Sequence, residues 1–169
     1  MIVKKNDIKI ATILPYKENY TLENASAVSL WVSQFFNKSK FKNKNFIYGN
    51  SNSKNYLSKN YINIPLKNLK SKFRSTSYEY VEKISKNIIK EKFDIVEIHN
   101  RPLILFQLLK RINAKFIMYY HNDPLTMSGS KLISERVEIL KKVEKLVFIS
   151  KWVKKRFFRG LDSTQEHKT

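Results

Sequence analysis

FDIVEIH at residues 93–99 and FIMYYH at residues 116–121 are two short apolar runs, and each ends in a histidine. Both are too short for typical helices and are rich in β-branched or aromatic residues, which favours buried strands. Residues 102–112, between them, are predicted to form a helix with Pro102 in its first turn, where a missing N–H costs little. A strand, a helix and a second strand in this order form a right-handed crossover between parallel strands.

The same alternation extends in both directions along the chain. Further strands are predicted at residues 8–14, 46–49, 61–65 and 146–149, and further helices at 25–36, 77–92, 132–143 and 151–159. This pattern predicts an α/β fold, a doubly wound and mostly parallel sheet of Rossmann-like type. We expect one domain over residues 1–160 and a polar tail, or the start of a linker, over 161–169. In such sheets ligands bind beyond the carboxyl ends of the strands.

Capping residues and the spacing of apolar residues predict where the helices end and which side chains they bury. Asn24 or Ser26 is expected to cap the first helix, and Ser150 the last, which Gly160 would terminate. The apolar stripe of the first helix is predicted to include Phe35, and that of the helix at 77–92 to include Ile89.

The composition is strongly basic, with a net charge of +19. Lysine supplies 27 of the 33 basic residues. This bias has two interpretations: a genome rich in A and T, or attraction to phosphate-rich partners such as anionic lipid, nucleic acid or polyanions. Because nucleic-acid recognition relies heavily on arginine, and only 6 are present, no nucleic-acid partner is expected.

The sequence carries no signal for secretion or membrane insertion. Residues 1–7 are rich in lysine and asparagine, and no run approaches the roughly 18 apolar residues of a membrane span. Cysteine is absent, which excludes disulfides and thiolate metal sites. A soluble, cytoplasmic protein is expected.

Polar residues follow the two strands that open this section. His99 and Arg101 come after one, and His121, Asn122 and Asp123 after the other. Imidazole can donate or accept a hydrogen bond and changes charge near neutral pH, which suits a substrate contact at the rim of a cleft. The alternative is that each histidine caps its loop, and that Asp123 before a proline opens a turn. No metal site is expected, because no third ligand has a suggestive spacing.

Several enzyme classes are disfavoured by the lack of glycine. With only three glycines, the chain has no glycine-rich phosphate loop, and it has no serine nucleophile elbow. Dehydrogenases, P-loop enzymes and α/β-hydrolases are therefore not expected. Asn24, Ala25 and Ser26 precede the first helix, where free N–H groups could meet an anion or where one residue simply caps the helix.

The last predicted helix is basic and aromatic, with sequence KWVKKRFFR at residues 151–159. It could lie on an anionic membrane surface. Alternatively, it is a core helix with Val153 and Phe157 inward and a solvated basic face.

The ordered set of segments resembles the N-terminal domain of the family 4 retaining glycosyltransferases of GT-B fold. The resemblance covers about residues 8–158, and its most specific part is residues 145–158, a strand, a serine and a helix. It implies transfer of a sugar from a nucleotide-sugar to a glycan, lipid-linked or other hydroxyl acceptor, as in cell-envelope polysaccharide biosynthesis. It also implies that this domain holds the acceptor and that His121 lies near the transferred sugar as a catalytic residue.

The sequence departs from the family in two respects. Asn24, Ala25 and Ser26 stand where the family has paired glycines near the donor phosphates, and side chains limit close approach of the backbone. On this resemblance, the family's second domain, which binds the nucleotide-sugar, is expected to be missing from these 169 residues. The expectation is an acceptor-side half that is inactive alone and needs no cofactor of its own. It would be a fragment, one subunit of a split enzyme paired in trans with a C-terminal domain, or a gene remnant.

The alternative function is a non-enzymatic module that binds glycan or anionic lipid, peripheral at the inner face of the membrane. The substrate-binding residues expected on the transferase interpretation are Asn24, Ala25, Ser26, His99, Arg101, Asn122 and Asp123.

Overall fold

The computed structural model of the chain describes residues 8–66 and 75–162. The strands are Ile10–Ile13 (β1), Asn45–Gly49 (β2), Tyr61–Asn63 (β3), Ile95–His99 (β4), Lys115–Tyr120 (β5) and Lys145–Phe148 (β6). The helices are Ala27–Lys38 (α1), Thr76–Glu91 (α2), Pro102–Leu109 (α3), Ile133–Lys142 (α4) and Lys151–Phe158 (α5). The prediction of alternating strands and helices is confirmed.

The six strands form one sheet in the order β3-β2-β1-β4-β5-β6, and every pair is parallel. This order is that of a doubly wound, Rossmann-like domain. The chain leaves β1 toward β2 on one side and later returns to β4 on the other. The position between β1 and β4 is therefore the switch point, where loops diverge and leave a crevice.

The two faces of the sheet are covered unequally by the described helices. Helix α1 packs through Val28, Val32 and Phe36 in its own apolar cluster. Most buried side chains of α2, α3, α4 and α5 belong to the other, larger cluster. Alternation along β4 sends Val96 and Ile98 into this larger cluster and leaves the intervening side chains facing α1.

Helix caps agree with the sequence at both ends of the chain. Ser26 caps α1 by accepting from the backbone N–H of Ser29 at 3.1 Å. Ser150 caps α5 in the same way, and Gly160 follows it with a φ of 78°. These predictions are confirmed, because each needs only a local hydrogen bond or a glycine in the left-handed region.

Two side chains assigned to apolar stripes are exposed instead. Phe35 is 57% exposed and Ile89 is 56% exposed. Each lies at the margin of its helical stripe, where the width of the packed surface decides burial. By contrast, Val153 and Phe157 of α5 are buried, as the core-helix alternative for this segment predicts.

Within residues 8–66 and 75–162, no helix is long and apolar enough to cross a membrane. Most of the predicted tail at 161–169 lies outside the described residues.

Candidate functional site

A cavity of about 380 Å³ opens at the switch point, beyond the carboxyl ends of β1, β4 and β5. Its walls come from the loops after these strands and from the first turns of α2 and α3. The lining residues are Tyr16, Lys17, Ser77, Asn100, Arg101, Pro102, Leu103, Ile104, Asn122, Thr126, Met127 and Ser128. This is the location that the fold predicts for a ligand.

Asn100 joins two of these loops. Its φ of 54° lies in the left-handed region, which asparagine tolerates better than most residues. Its buried Oδ1 accepts from the backbone N–H of His121 at 2.7 Å and of Asn122 at 3.3 Å. The loop after β4 is thereby tied to the loop after β5, and the cavity wall is held at this point.

Of the predicted site residues, Arg101 and Asn122 line the cavity. Arg101 Nη1 donates to the carbonyl of Asn100 at 3.3 Å, which is a weak anchor for a half-buried guanidinium. Lys17 supplies a second cation. No aspartate or glutamate lines the cavity among the described residues, so its walls carry positive charge only.

The two histidines at the strand ends form a direct contact on the α1 face of the sheet. His99 Nδ1 lies 2.8 Å from His121 Nε2, so one ring donates to the other. His99 is 1% exposed and His121 is 8% exposed. Trp31 of α1 covers the pair, with its ring centroid 5.0 Å from that of His121. Both histidines therefore lie beneath α1 and neither lines the cavity, which corrects their expected place at an open rim; substrate contact by either one stays a prediction.

Burial governs the charge of this pair. It lowers the pKa of His121 to about 4, and it lowers the pKa of His99 well below its usual range, with a smaller contribution from His121. The geometry agrees, because two protonated rings would present two donors to each other at 2.8 Å. The pair is neutral near pH 7, and each ring acts through hydrogen bonds rather than charge.

A second buried polar group lies next to the histidines. Tyr119 stacks on His99 with ring centroids 4.5 Å apart, and its hydroxyl donates to Glu97 Oε1 at 3.1 Å. Glu97 Oε2 lies 2.7 Å from Thr12 Oγ1, which lies 2.9 Å from Asn45 Oδ1. Burial raises the pKa of Glu97. Sequence reasoning missed this cluster, because a glutamate in mid-strand gives no signal of its surroundings.

The loop before α1 lies apart from the cavity. Asn24 is exposed, Ala25 is half-buried and Ser26 is used as the cap of α1. None of the three lines the cavity. The bridge between Thr21 and Tyr56 holds this loop against the loop that follows β2. Substrate contact by Asn24, Ala25 or Ser26 stays a prediction.

The carboxylate of Asp123 is hydrogen-bonded within the protein. Its Oδ2 accepts from Arg156 Nε at 3.0 Å and Nη2 at 2.8 Å, and its Oδ1 accepts from the backbone N–H of Leu125 at 3.0 Å. The hydrogen bond from Arg156 lowers the pKa of Asp123. These bonds fix the loop after β5 against α5, and substrate contact by Asp123 stays a prediction.

The lining residues that the sequence analysis did not single out include Tyr16, Lys17, Ser77, Thr126, Met127 and Ser128. For Tyr16 and Lys17 the available signal was their position directly after the first strand. Among the described residues, no group of three or more histidine, aspartate or glutamate side chains could hold a metal ion.

No protein-family model matches the chain, and no curated protein matches it in sequence. Its structure is similar to two solved chains of sucrose-phosphate synthase from Thermosynechococcus elongatus. One has a TM-score of 0.63 at 14% identity over 92% of this chain and 83% of that chain. The other has a TM-score of 0.59 at 13% identity over 93% of this chain and 46% of that chain. The likeness shows a glycosyltransferase-like, Rossmann-like fold.

Proposed function

We propose that this domain is the acceptor-side half of a glycosyltransferase that moves a sugar from a nucleotide-sugar to a glycan or lipid-linked acceptor. The observation that carries the proposal is the polar cavity at the switch point of a glycosyltransferase-like sheet. The family resemblance of residues 8–158 supports the same assignment.

The acceptor would bind in the cavity. A sugar needs donors and acceptors for its hydroxyl groups, together with an apolar surface for its ring. Asn122, Thr126 and Ser128 offer amide and hydroxyl groups, and Tyr16 offers an aromatic ring. Tyr16 is itself positioned by an edge contact with Tyr80, at 5.9 Å between ring centroids.

His121 would serve beside the transferred sugar. Its backbone and that of Asn122 share the side chain of Asn100, so the imidazole and the cavity wall are positioned together. A neutral imidazole can hydrogen-bond a sugar hydroxyl without introducing charge. In this proposal His121 is the catalytic residue of the domain, and His99 positions it.

The nucleotide-sugar would be bound by a second domain, present in a longer polypeptide or supplied in trans. The loop before α1 supports the assignment of the nucleotide-sugar to a second domain. Ser26 already caps α1, and residues 24–26 include no glycine that would let the backbone approach a phosphate closely. On this proposal the domain alone turns over no sugar nucleotide.

The experiment combines this chain with a donor-binding glycosyltransferase domain, fused or in trans, and measures nucleotide release on addition of an acceptor. The Ser128→Trp variant fills the exposed mouth of the cavity, and Asn113→Trp adds the same side chain at an exposed position before β5, at the opposite ends of the strands. We expect transfer by the pair, loss of transfer with Ser128→Trp, and no loss with Asn113→Trp. Full transfer by Ser128→Trp, or robust transfer by the chain alone, would contradict the proposal.

A second candidate function, binding to an anionic membrane, is favoured by the outer face of α5. Trp152 is 58% exposed between the exposed Lys151 and Lys155. An amphipathic indole flanked by lysines suits the interface of an anionic bilayer, in which case the protein would lie at the cytoplasmic face of the membrane.

The vesicle test uses Trp31→Phe, which leaves Trp152 as the single tryptophan. Membrane binding predicts a blue shift of its emission with anionic vesicles and none with zwitterionic vesicles. An unchanged spectrum with both would eliminate this candidate.

A further inference from the structure

The cavity carries positive charge that the fold does not neutralise. Lys17 and Arg101 line it, and neither meets a carboxylate among the described residues. Other cations of this protein are paired: Arg156 with Asp123 at 2.8 Å and Lys83 with Glu79 at 2.7 Å. The two cavity cations thus remain available to a ligand.

Arg101 is suited to an anion by its setting. The guanidinium is half-buried, and among the described residues it makes one long hydrogen bond, to the carbonyl of Asn100, which leaves most of its N–H donors without a partner there. Partial burial strengthens a charge interaction, because less solvent screens it. A guanidinium also matches phosphate or carboxylate oxygens with two parallel hydrogen bonds.

The remaining polar groups of the cavity are neutral. Ser77, Thr126 and Ser128 carry hydroxyls, and Asn122 carries an amide. A ligand that matches this wall combines hydroxyl groups with a localised negative charge.

Resting on the proposed function, we infer that the acceptor is an anionic sugar whose phosphate or carboxylate group binds between Lys17 and Arg101. The rest of the sugar then lies along the hydroxyl and amide groups of the cavity wall. Selection against neutral sugars follows, because a neutral ligand would leave both cations without a partner.

The test is a calorimetric titration of the full chain with glucose 6-phosphate, glucuronate and glucose at near-physiological salt. We expect at least one anionic sugar to bind tenfold or more tightly than glucose, and the tighter of the two identifies phosphate or carboxylate as the group. The double variant Lys17→Gln/Arg101→Gln should abolish this preference.

A matched control removes two positive charges elsewhere. Lys38→Gln/Lys110→Gln changes exposed residues at the end of α1 and after α3, and it should keep the preference for anionic sugar. Equal loss in both double variants would overturn the inference, since net charge alone would then account for binding. Equal affinity for glucose and both anionic sugars would overturn it as well.

The binding test of the anionic-sugar site can fail or succeed independently of the transfer assay for the proposed function. The titration needs no donor domain, so anion-dependent binding without any transfer would contradict the transferase and leave the site intact. Transfer that is unaffected by Arg101→Gln would overturn the inference and leave the transferase intact.

Discussion

At the scale of single residues, the burial of His121 sets a pH dependence of stability. The unfolded pKa of His121 is 6.5 and its folded pKa is lowered to about 4. The unfolded state therefore binds more protons between these values, so the stabilisation is complete above pH 6.5 and is lost as pH falls toward 4.

We expect the stability difference between the wild type and His121→Gln to shrink by roughly 1–2 kcal/mol from pH 7 to pH 5. Urea unfolding of both proteins at the two pH values measures it. A difference that stays constant with pH would mean that the pair is not neutral in the folded protein.

Glu97 is expected to show the opposite dependence. The Thr12 hydroxyl has one proton but lies within hydrogen-bond distance of both Glu97 and Asn45 oxygens. A protonated Glu97 resolves this by donating to Thr12, which then donates to Asn45. Burial raises the pKa of Glu97, so in the folded protein this carboxyl keeps its proton to a higher pH than in the unfolded chain. The free energy of unfolding therefore falls as the pH rises above 4.5, the pKa of the unfolded state.

Glu97→Gln mimics the neutral acid, so its stability relative to the wild type should be higher at pH 8 than at pH 5. Chemical denaturation at both values provides the measurement. Glu97→Ala is the control: it lacks the titrating group as well and should follow the same pH trend, but it leaves Thr12 and Tyr119 without this partner and should be about 1–3 kcal/mol less stable than Glu97→Gln at either pH. Equal stability of the glutamine and alanine variants would mean that the hydrogen-bond chain has been misassigned.

His121 also carries the catalytic part of the proposal. In the enzyme completed with a donor domain, we expect His121→Ala to lower kcat by at least roughly tenfold, about 1.4 kcal/mol in the barrier, because a hydrogen bond to the transferred sugar is lost. The KM for the acceptor should change little, since the cavity itself is intact. Steady-state kinetics separate the two parameters, and wild-type turnover would reduce His121 to a structural residue.

At the scale of elements, the loop after β5 forms one wall of the cavity and presses on the start of α3. Gly129 has a φ of 91°, and a Cβ there would lie 2.9 Å from the backbone nitrogen of Leu103. An alanine would add backbone strain and push the loop away from α3.

We expect Gly129→Ala to destabilise the protein by about 1–3 kcal/mol, as measured by urea unfolding. Gly160→Ala is the matched control, because it also has a positive φ but meets only the flexible end of Ile133. Gly160→Ala should lower the free energy of unfolding by less than Gly129→Ala does. An equal loss in both variants would argue against the contact between the loop at Gly129 and the start of α3.

Elements were largely predictable from sequence where local chemistry decides them. β4 was predicted to end at His99, where it does end, and Ser150 and Gly160 set the ends of α5 as expected. Periodicity failed at Phe35 and Ile89, because it gives the direction of a side chain but not the width of the surface that covers it.

The site was predictable only in part. His99 and His121 come together because both lie at the carboxyl ends of neighbouring parallel strands, a proximity that their places at the ends of two predicted strands made foreseeable. The burial of the histidines by Trp31 could not be predicted, because it depends on which face of the sheet α1 packs against. The ion pair between Asp123 and Arg156 could not be predicted either, because these residues are 33 apart in sequence. For Lys17 the one signal was its position directly after the first strand, because a lysine in a loop of this lysine-rich chain otherwise resembles any solvated charge.

At the scale of the whole molecule, the net charge of +19 creates a diffuse attraction for any polyanion. This attraction acts over the Debye length, which falls from about 10 Å at 0.1 M salt to about 3 Å at 1 M. Contacts between Arg101 or Lys17 and a bound anion are shorter than either length. Diffuse binding of a polyanion to the surface should therefore weaken more with added salt than binding of an anionic sugar in the cavity.

We expect affinity for duplex DNA to fall steeply between about 50 and 200 mM salt, because many phosphate contacts are lost together. Affinity for the preferred anionic sugar should fall much less over the same range, since only one charged group is bound in a partly enclosed cavity. Parallel titrations of the two ligands across the salt series make the comparison. If both affinities declined with the same slope, the sugar would be held by the overall field of the protein, and the cavity cations would have no particular role.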